Sequence, residues 1–220
     1  MKRLNTVLPG LLFLLISFAF IGCAQDGNPL FGEDYSQAMY EEGSWVIKED
    51  LLVALEDRVV WAPGEYENFK LSFEFMNEEG TNSGIIVYCT DRENWIPNSV
   101  EIQIADDYGK WEMERKDFQC GAIFGHLPAT EQKVVHPPGE WNQMEITCEG
   151  QLIEVVLNGK KVTSMDMSEW TSGTVNPDGS EIPSWLPTPF AELPTKGAIG
   201  FQGKHGDSSI TFRNVRISDL

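Results

Sequence analysis

The chain has 220 residues, with 34 acidic side chains against 16 Lys and Arg, a formal net charge of −18 and 11% aromatics. That length suits one domain with a sizeable core, and dispersed charge among plentiful aromatics argues against disorder. The acidity argues against nucleic acid and anionic lipid as partners and suits a neutral substrate or a site that uses a cation.

The chain opens with Lys2 and Arg3, followed by an uncharged apolar run over 8–21. At about 14 residues this run is short for a membrane span and suits a secretory signal. It ends at Phe20-Ile21-Gly22-Cys23, which resembles the lipobox of bacterial lipoproteins. Residues 1–22 are therefore expected as a signal peptide and Cys23 as the lipidated first residue of an exported protein. Such a protein is held to the bacterial envelope, on its periplasmic side or at the cell surface, and meets the membrane through its lipid alone. The stretch 23–39 is read as a tether, and residues 1–30 are expected not to pack on the folded part. Cys89, Cys120 and Cys148 remain. They allow at most one internal bridge, or serve as small buried hydrophobes.

Alternating or β-rich runs then recur between turn residues, at 45–48, 51–55, 69–76, 84–90, 100–105, 144–148, 152–157, 161–165, 198–202 and 210–217. Leu71-Ser72-Phe73-Glu74-Phe75 alternates apolar with polar, as a strand with one buried face does. Asn158-Gly159 between two such runs is a hairpin signal. No long amphipathic helix is evident. Around ten short strands predict an all-β fold of two antiparallel sheets, a sandwich or jelly roll. The segment 171–194 holds five prolines with Trp185 and Phe190. It cannot be a central strand, and reads as a functional loop whose Trp185 stacks on a sugar, or as a loop packed over the sandwich end.

In Val100-Glu101-Ile102-Gln103-Ile104 the period of two places Glu101 and Gln103 together on the face opposite the apolar residues. A carboxylate beside an amide can bind sugar hydroxyls, hold a cation or act as a base; alone, the pattern is more often a solvated outer face. Asp106 and Asp107 follow. Asn82-Ser83-Gly84 is by itself a turn signal. His126 ends the Gly-rich string 121–126, and Gln202 and His205 sit in another at 200–206. Each histidine could titrate near neutral pH, although a lone histidine is more often structural. No nucleophile elbow, phosphate loop, zincin motif or dinucleotide fingerprint is present.

Taken in order, Gly43-Ser44-Trp45-Val46, Tyr66-Glu67-Asn68-Phe69, Asn82-Ser83-Gly84-Ile85, Val100-Glu101-Ile102-Gln103-Ile104, Gly121-Ala122-Ile123-Phe124-Gly125, Gly139-Glu140-Trp141-Asn142, Leu157-Asn158-Gly159, Gly197-Ala198-Ile199-Gly200-Phe201-Gln202 and Phe212-Arg213-Asn214-Val215-Arg216-Ile217 resemble the 3-keto-disaccharide hydrolase domain family over about 40–220. The resemblance implies a concanavalin-like jelly roll in exported bacterial proteins. It also implies action on an oligosaccharide or other glycoside whose C3 keto group is made by a partner sugar oxidoreductase. Two departures stand out. Leu30-Phe31-Gly32-Glu33 is a remnant of a motif that members carry near the start. Tyr88 and Cys89 stand where many members have an arginine, and Arg92 lies farther on.

A C3 ketone acidifies the C2 proton, so a base can start β-elimination of the C1 oxygen; water addition then gives net hydrolysis. On this reading His126 or His205 is the base, and Glu101 is a second carboxylate or the ligand of a divalent cation. Asn82, Gln103, Asp106, Gln202 and Trp185 bind substrate. No cofactor is required beyond that candidate cation. A non-catalytic carbohydrate-binding module and a conventional glycosidase with paired carboxylates are the alternatives.

Overall fold

The computed structural model describes residues 27–109 and 115–220, so the expected signal peptide and Cys23 lie outside the described residues. Twelve strands occur among the described residues: β1 (Asn28–Pro29), β2 (Trp45–Lys48), β3 (Leu51–Ala54), β4 (Val60–Trp61), β5 (Phe69–Asn77), β6 (Asn82–Cys89), β7 (Val100–Ala105), β8 (Trp141–Glu149), β9 (Leu152–Leu157), β10 (Lys160–Asp166), β11 (Ala198–Phe201) and β12 (Ile210–Asp219). All ten expected strands are present, with ends shifted by a few residues. The two-residue strands β1 and β4 are too short to leave a periodic signal.

The strands form two antiparallel sheets. The larger runs β10-β9-β8-β5-β12-β3-β2, with β1 added beside β12; the smaller runs β4-β11-β6-β7. This is a concanavalin-like jelly-roll sandwich. Strand β5 lies inside the larger sheet, paired with β8 and β12, and its alternation buries Phe69, Leu71, Phe73 and Phe75 completely. The β9–β10 turn carries Asn158 and Gly159, both at positive φ (49° and 77°), the conformation that favours Asn-Gly in a tight hairpin. Between the sheets, Phe73 meets Phe201 edge-on at 5.4 Å and Phe201 meets Phe212 at 5.0 Å. Such perpendicular rings fill the layer and add to the burial term.

The N-terminal stretch departs from the tether expectation. Leu30, Phe31 and Tyr35 belong to the core, Phe31 lies edge-on to Phe201 at 5.3 Å, and β1 pairs with β12. Apolar residues separated by glycine and acids give no period to read, yet they close one end of the sandwich. Cys89, Cys120 and Cys148 are free and buried, matching the small-hydrophobe reading.

Segment 171–194 packs over the sandwich end, one of the two readings the sequence allowed. Ile182, Leu186, Phe190 and Leu193 are buried against the sandwich, while Trp185 stays 55% exposed.

Candidate functional site

The smaller sheet has an outer face, turned away from the core between the sheets. Ile85, Val87, Val100 and Ile102 turn into the core, so their neighbours turn outward. Register places Gly84 opposite Gln103, Ile86 opposite Glu101 and Gly200, and Gly200 opposite Trp61. Opposed residues share a face, so Trp61, Ile86, Glu101 and Gln103 floor one groove. Two glycines make room for the larger side chains. A Cβ on Gly84 would overlap the Glu101 carboxyl, and one on Gly200 would lie 2.7 Å from the Trp61 ring.

Loops complete a cavity of about 220 Å³ lined by the polar side chains of Asn82, Glu101, Gln202 and His205 and by the rings of Trp95, Phe124 and Trp185. Phe124 is held beside Glu101 because its N–H donates to the Glu101 carbonyl at 2.9 Å. Trp185 is held near Phe124 because Leu186 packs on Gly125, where a Cβ would lie 2.6 Å from Leu186 Cδ1. The turn carrying Gln202 and His205 is tied to β6 by Gln202 N–H to Gly84 O (2.8 Å) and His205 N–H to Asn82 O (3.0 Å).

Four features give the cavity chemical character. Burial, reinforced by the negative charge of Asp57, pushes the Glu101 carboxyl up to about 8, so it is a neutral acid at pH 7. His205 Nδ1 lies 2.8 Å from Asp57 Oδ2; with Nδ1–H as the donor to that carboxylate, Nε2 is the ring nitrogen left to accept. Gln103 Nε2–H donates to Asn82 Oδ1 at 2.8 Å, which occupies that carbonyl and leaves the Asn82 amide nitrogen as the free donor. Gln202 Oε1 is buried without a hydrogen-bond partner.

The structure thus brings Asn82, Glu101, Trp185, Gln202 and His205 together, with Gln103 buried beneath Asn82. It places Asp106 and His126 elsewhere. Asp106 is fully buried and accepts the Gly80 N–H (2.9 Å) and the Tyr108 N–H (3.0 Å), closing the loop after β7. His126 is 3% exposed, stacks on Phe190 at 3.8 Å and donates from Nδ1 to Phe124 O at 2.8 Å. Burial pulls its pKa down to about 4, and it lines a separate cavity with Arg115 and Asp117. Asp57, Trp95 and Phe124 escaped the sequence reading. Asp57 sits in an ordinary acidic turn, and nothing in local spacing links it to a histidine 148 positions away.

A second, larger lobe of about 500 Å³ adjoins the first and shares Trp95 and Gln202 with it; Met39, Asp57, Trp61 and Arg92 also line it. The Arg92 guanidinium lies over the Trp61 ring at 5.6 Å and donates to the carbonyls of Ala62 (3.3 Å) and Gly64 (3.2 Å). An arginine therefore does reach the groove, although Tyr88 and Cys89 are buried. Among the described residues no three His, Cys, Asp or Glu side chains are arranged to hold a metal ion.

The model of the family described as "3-keto-alpha-glucoside-1,2-lyase-like domain" matches residues 26–218. Among solved structures, one protein of Parabacteroides distasonis ATCC 8503, provisionally designated a glycosyl hydrolase, is 59% identical; the match covers 89% of this chain and 100% of that one, with a TM-score of 0.87. A second protein of that organism with the same designation is 22% identical over 85% of this chain and 90% of its own, TM-score 0.69. A carbohydrate-binding module from Bacillus subtilis, 12% identical over 83% and 95% of the two chains with a TM-score of 0.53, shares the fold. No curated protein matches the chain in sequence.

Proposed function

Because the chain belongs to the 3-keto-alpha-glucoside-1,2-lyase-like family, we propose that it cleaves 3-keto-glycosides by elimination across C1 and C2. The observation that carries this reading is the meeting of a neutral Glu101 acid with an Asp57-oriented His205 in one aromatic-lined cavity.

The carbonyl at C3 makes the C2 hydrogen acidic. His205 Nε2 takes that proton, and the C2–H pair becomes the C1=C2 bond as the C1–O bond breaks. The departing oxygen takes the proton of Glu101, so an enone and an alcohol result with one proton moved from C2 to the leaving group. The Asn82 amide N–H groups stabilise the negative charge that develops on O3, the role of a preorganised donor. Burial is what lets Glu101 act as an acid near pH 7, as in other enzymes that raise a carboxyl pKa. His205 then gives up the proton it took and Glu101 regains one, directly or through water, which resets the site. Water addition to the enone turns the elimination into net hydrolysis.

An aromatic-lined groove with no such acid and histidine would serve a binding module. Their convergence favours chemistry. Export and a lipid anchor at Cys23 fit an enzyme that meets keto-sugars released by an envelope oxidoreductase; a divalent cation on an ionised Glu101 is the competing role for that residue, which chelator tests. The decisive assay follows 3-keto-trehalose or a 3-keto-glucoside with the wild type, Glu101→Gln and His205→Ala, with and without chelator. Loss of about 10²-fold or more in each variant is expected for general acid–base groups; near-wild-type rates in both would sink the reading.

A further inference from the structure

Gln103 is 1% exposed and lies beneath Asn82, so it touches no substrate itself. Its backbone is fixed on both sides. The N–H donates to Ala122 O and the carbonyl accepts the Gly121 N–H, each at 2.9 Å. Its cross-strand neighbour is Gly84, which has no side chain to displace it. Its amide acts on the cavity through one bond, Nε2–H to Asn82 Oδ1 at 2.8 Å.

The direction of that bond decides what Asn82 shows to a ligand. An amide has a donor end and an acceptor end, and turning it over exchanges them. As it stands, Gln103 buries its Oε1 without a partner. Turned over, it would accept from Asn82 and leave both of its own N–H groups buried without an acceptor. An orphaned N–H is the rarer outcome in folded proteins than an under-used carbonyl. Gln103 is therefore the donor of the pair, and the Asn82 carbonyl is taken up by it.

A ketone oxygen only accepts, so it pairs with an amide N–H and is repelled by an amide carbonyl. A hydroxyl donates or accepts, so it pairs with either end. We infer that Gln103 is a positioning residue: by holding the Asn82 carbonyl it turns the Asn82 N–H groups toward O3, and so favours the ketone and its enolate over the unoxidised sugar. The placement of O3 beside Asn82 rests on the elimination reading above.

The test compares kcat/KM for methyl 3-keto-α-glucoside with the competitive Ki of methyl α-glucoside, in the wild type and in Gln103→Met. That substitution keeps the side-chain length and removes both polar atoms. kcat/KM should fall about tenfold, mostly in kcat, because the donor matters most when charge builds on O3. Ki of the unoxidised sugar should stay within about twofold, since its hydroxyl pairs with Asn82 in either orientation. A merely structural role would weaken both alike. That result, or no change in either, overturns the inference while leaving the cleavage reading intact. If Gln103→Met does not fold, Gln103→Glu carries the test. Its neutral acid still donates to Asn82 at about pH 5.5, and its carboxylate, which only accepts, turns Asn82 over at about pH 9. Turnover relative to the wild type should fall between those two values, and a flat ratio overturns the inference. If the wild type does not cleave the ketone, the cleavage reading fails, and calorimetry with both sugars judges Gln103 instead. There, an equal effect of the substitution on both sugars, or none on either, overturns the assignment.

Discussion

Gly84 and Glu101 occupy one patch of the smaller sheet: the volume a Cβ on Gly84 would need is filled by the Glu101 carboxyl. The two are near neighbours across the β6–β7 ladder, Gly84 pairing with Gln103 and Glu101 with Ile86. The missing side chain on one strand lets the acid on the next lie down under Trp95 and Phe124, where burial raises its pKa.

Gly84→Ala should therefore impair the site more than the fold. A methyl group in a strand is favourable by itself, and the flexible end of Glu101 can yield. It yields toward solvent, where its pKa drops. We expect kcat/KM to fall about tenfold, with the loss growing as pH rises, and with Tm and circular dichroism close to wild type. A pH profile alongside thermal melts checks this.

Glu101 also fixes two pH dependences of opposite use. As an acid it is lost above its pKa, so kcat should decline as pH rises through about 8. For stability, its folded value of about 8 stands above the ordinary 4.5. The neutral form's advantage is thus fully present below pH 4.5 and disappears as pH rises to about 8. Glu101→Gln should gain Tm on the wild type across that window, and melts at pH 5 and pH 8 measure the gain.

The His205–Asp57 pair predicts a non-additive result. Asp57→Asn keeps a partner of the same shape but not the carboxylate that selects the Nδ1–H tautomer. Both side chains are more than half exposed, so water can replace part of the interaction, and the cost should be about 10- to 100-fold in kcat, below that of a buried triad. Asp57→Asn combined with His205→Ala should be no slower than His205→Ala alone, because the two act as one unit. Multiplying losses would show that Asp57 acts on something else.

Much of this was legible. Alternation revealed the strands, and the period of two set Glu101 and Gln103 on one face, where the structure has them. Histidines were harder. His126 and His205 both sit in Gly-rich strings with equal claim as bases. What separates them is tertiary: Gly125 beside His126 makes space for Leu186 and Pro183, so that string packs under the proline loop. Gly203 near His205 instead lets its turn lie on the Asp57 turn, where a Cβ would overlap Glu56 O and Lys204 N–H reaches Glu56 O at 3.2 Å. Periodicity reads a residue's own strand and cannot report which distant loop will cover it.

His126 makes a prediction of its own. Its folded pKa of about 4 is below the ordinary 6.5, because a charged imidazole cannot be hydrated against Phe190. The neutral form's contribution is present above pH 6.5 and is lost as pH falls toward 4, about 3 kcal/mol at full extent. His126→Phe should flatten that acid limb. Since His126 lies outside the groove, turnover at pH 7 should stay within about threefold of wild type. Urea melts at pH 7 and pH 4.5 give the slope, and an equal slope in both proteins would assign the acid limb to other groups.

Phe31 tests where the domain begins. It is 1% exposed, touches Phe201 and Tyr35, and comes from a segment whose sequence reads as linker. Truncating a buried phenylalanine removes its transfer energy and leaves a cavity, together about 3–5 kcal/mol. In a domain of this size that lowers Tm by about 10 °C. A chain shortened to begin at residue 40 also loses Leu30, Tyr35 and the β1–β12 pairing, and should melt lower still or not fold. If the short chain melted like the longer one, residues 27–39 would be an appendage to the sandwich. Their burial against Phe201, whose neighbours Gly200 and Gln202 face the groove, says instead that the segment nearest the expected anchor also supports the floor of the site.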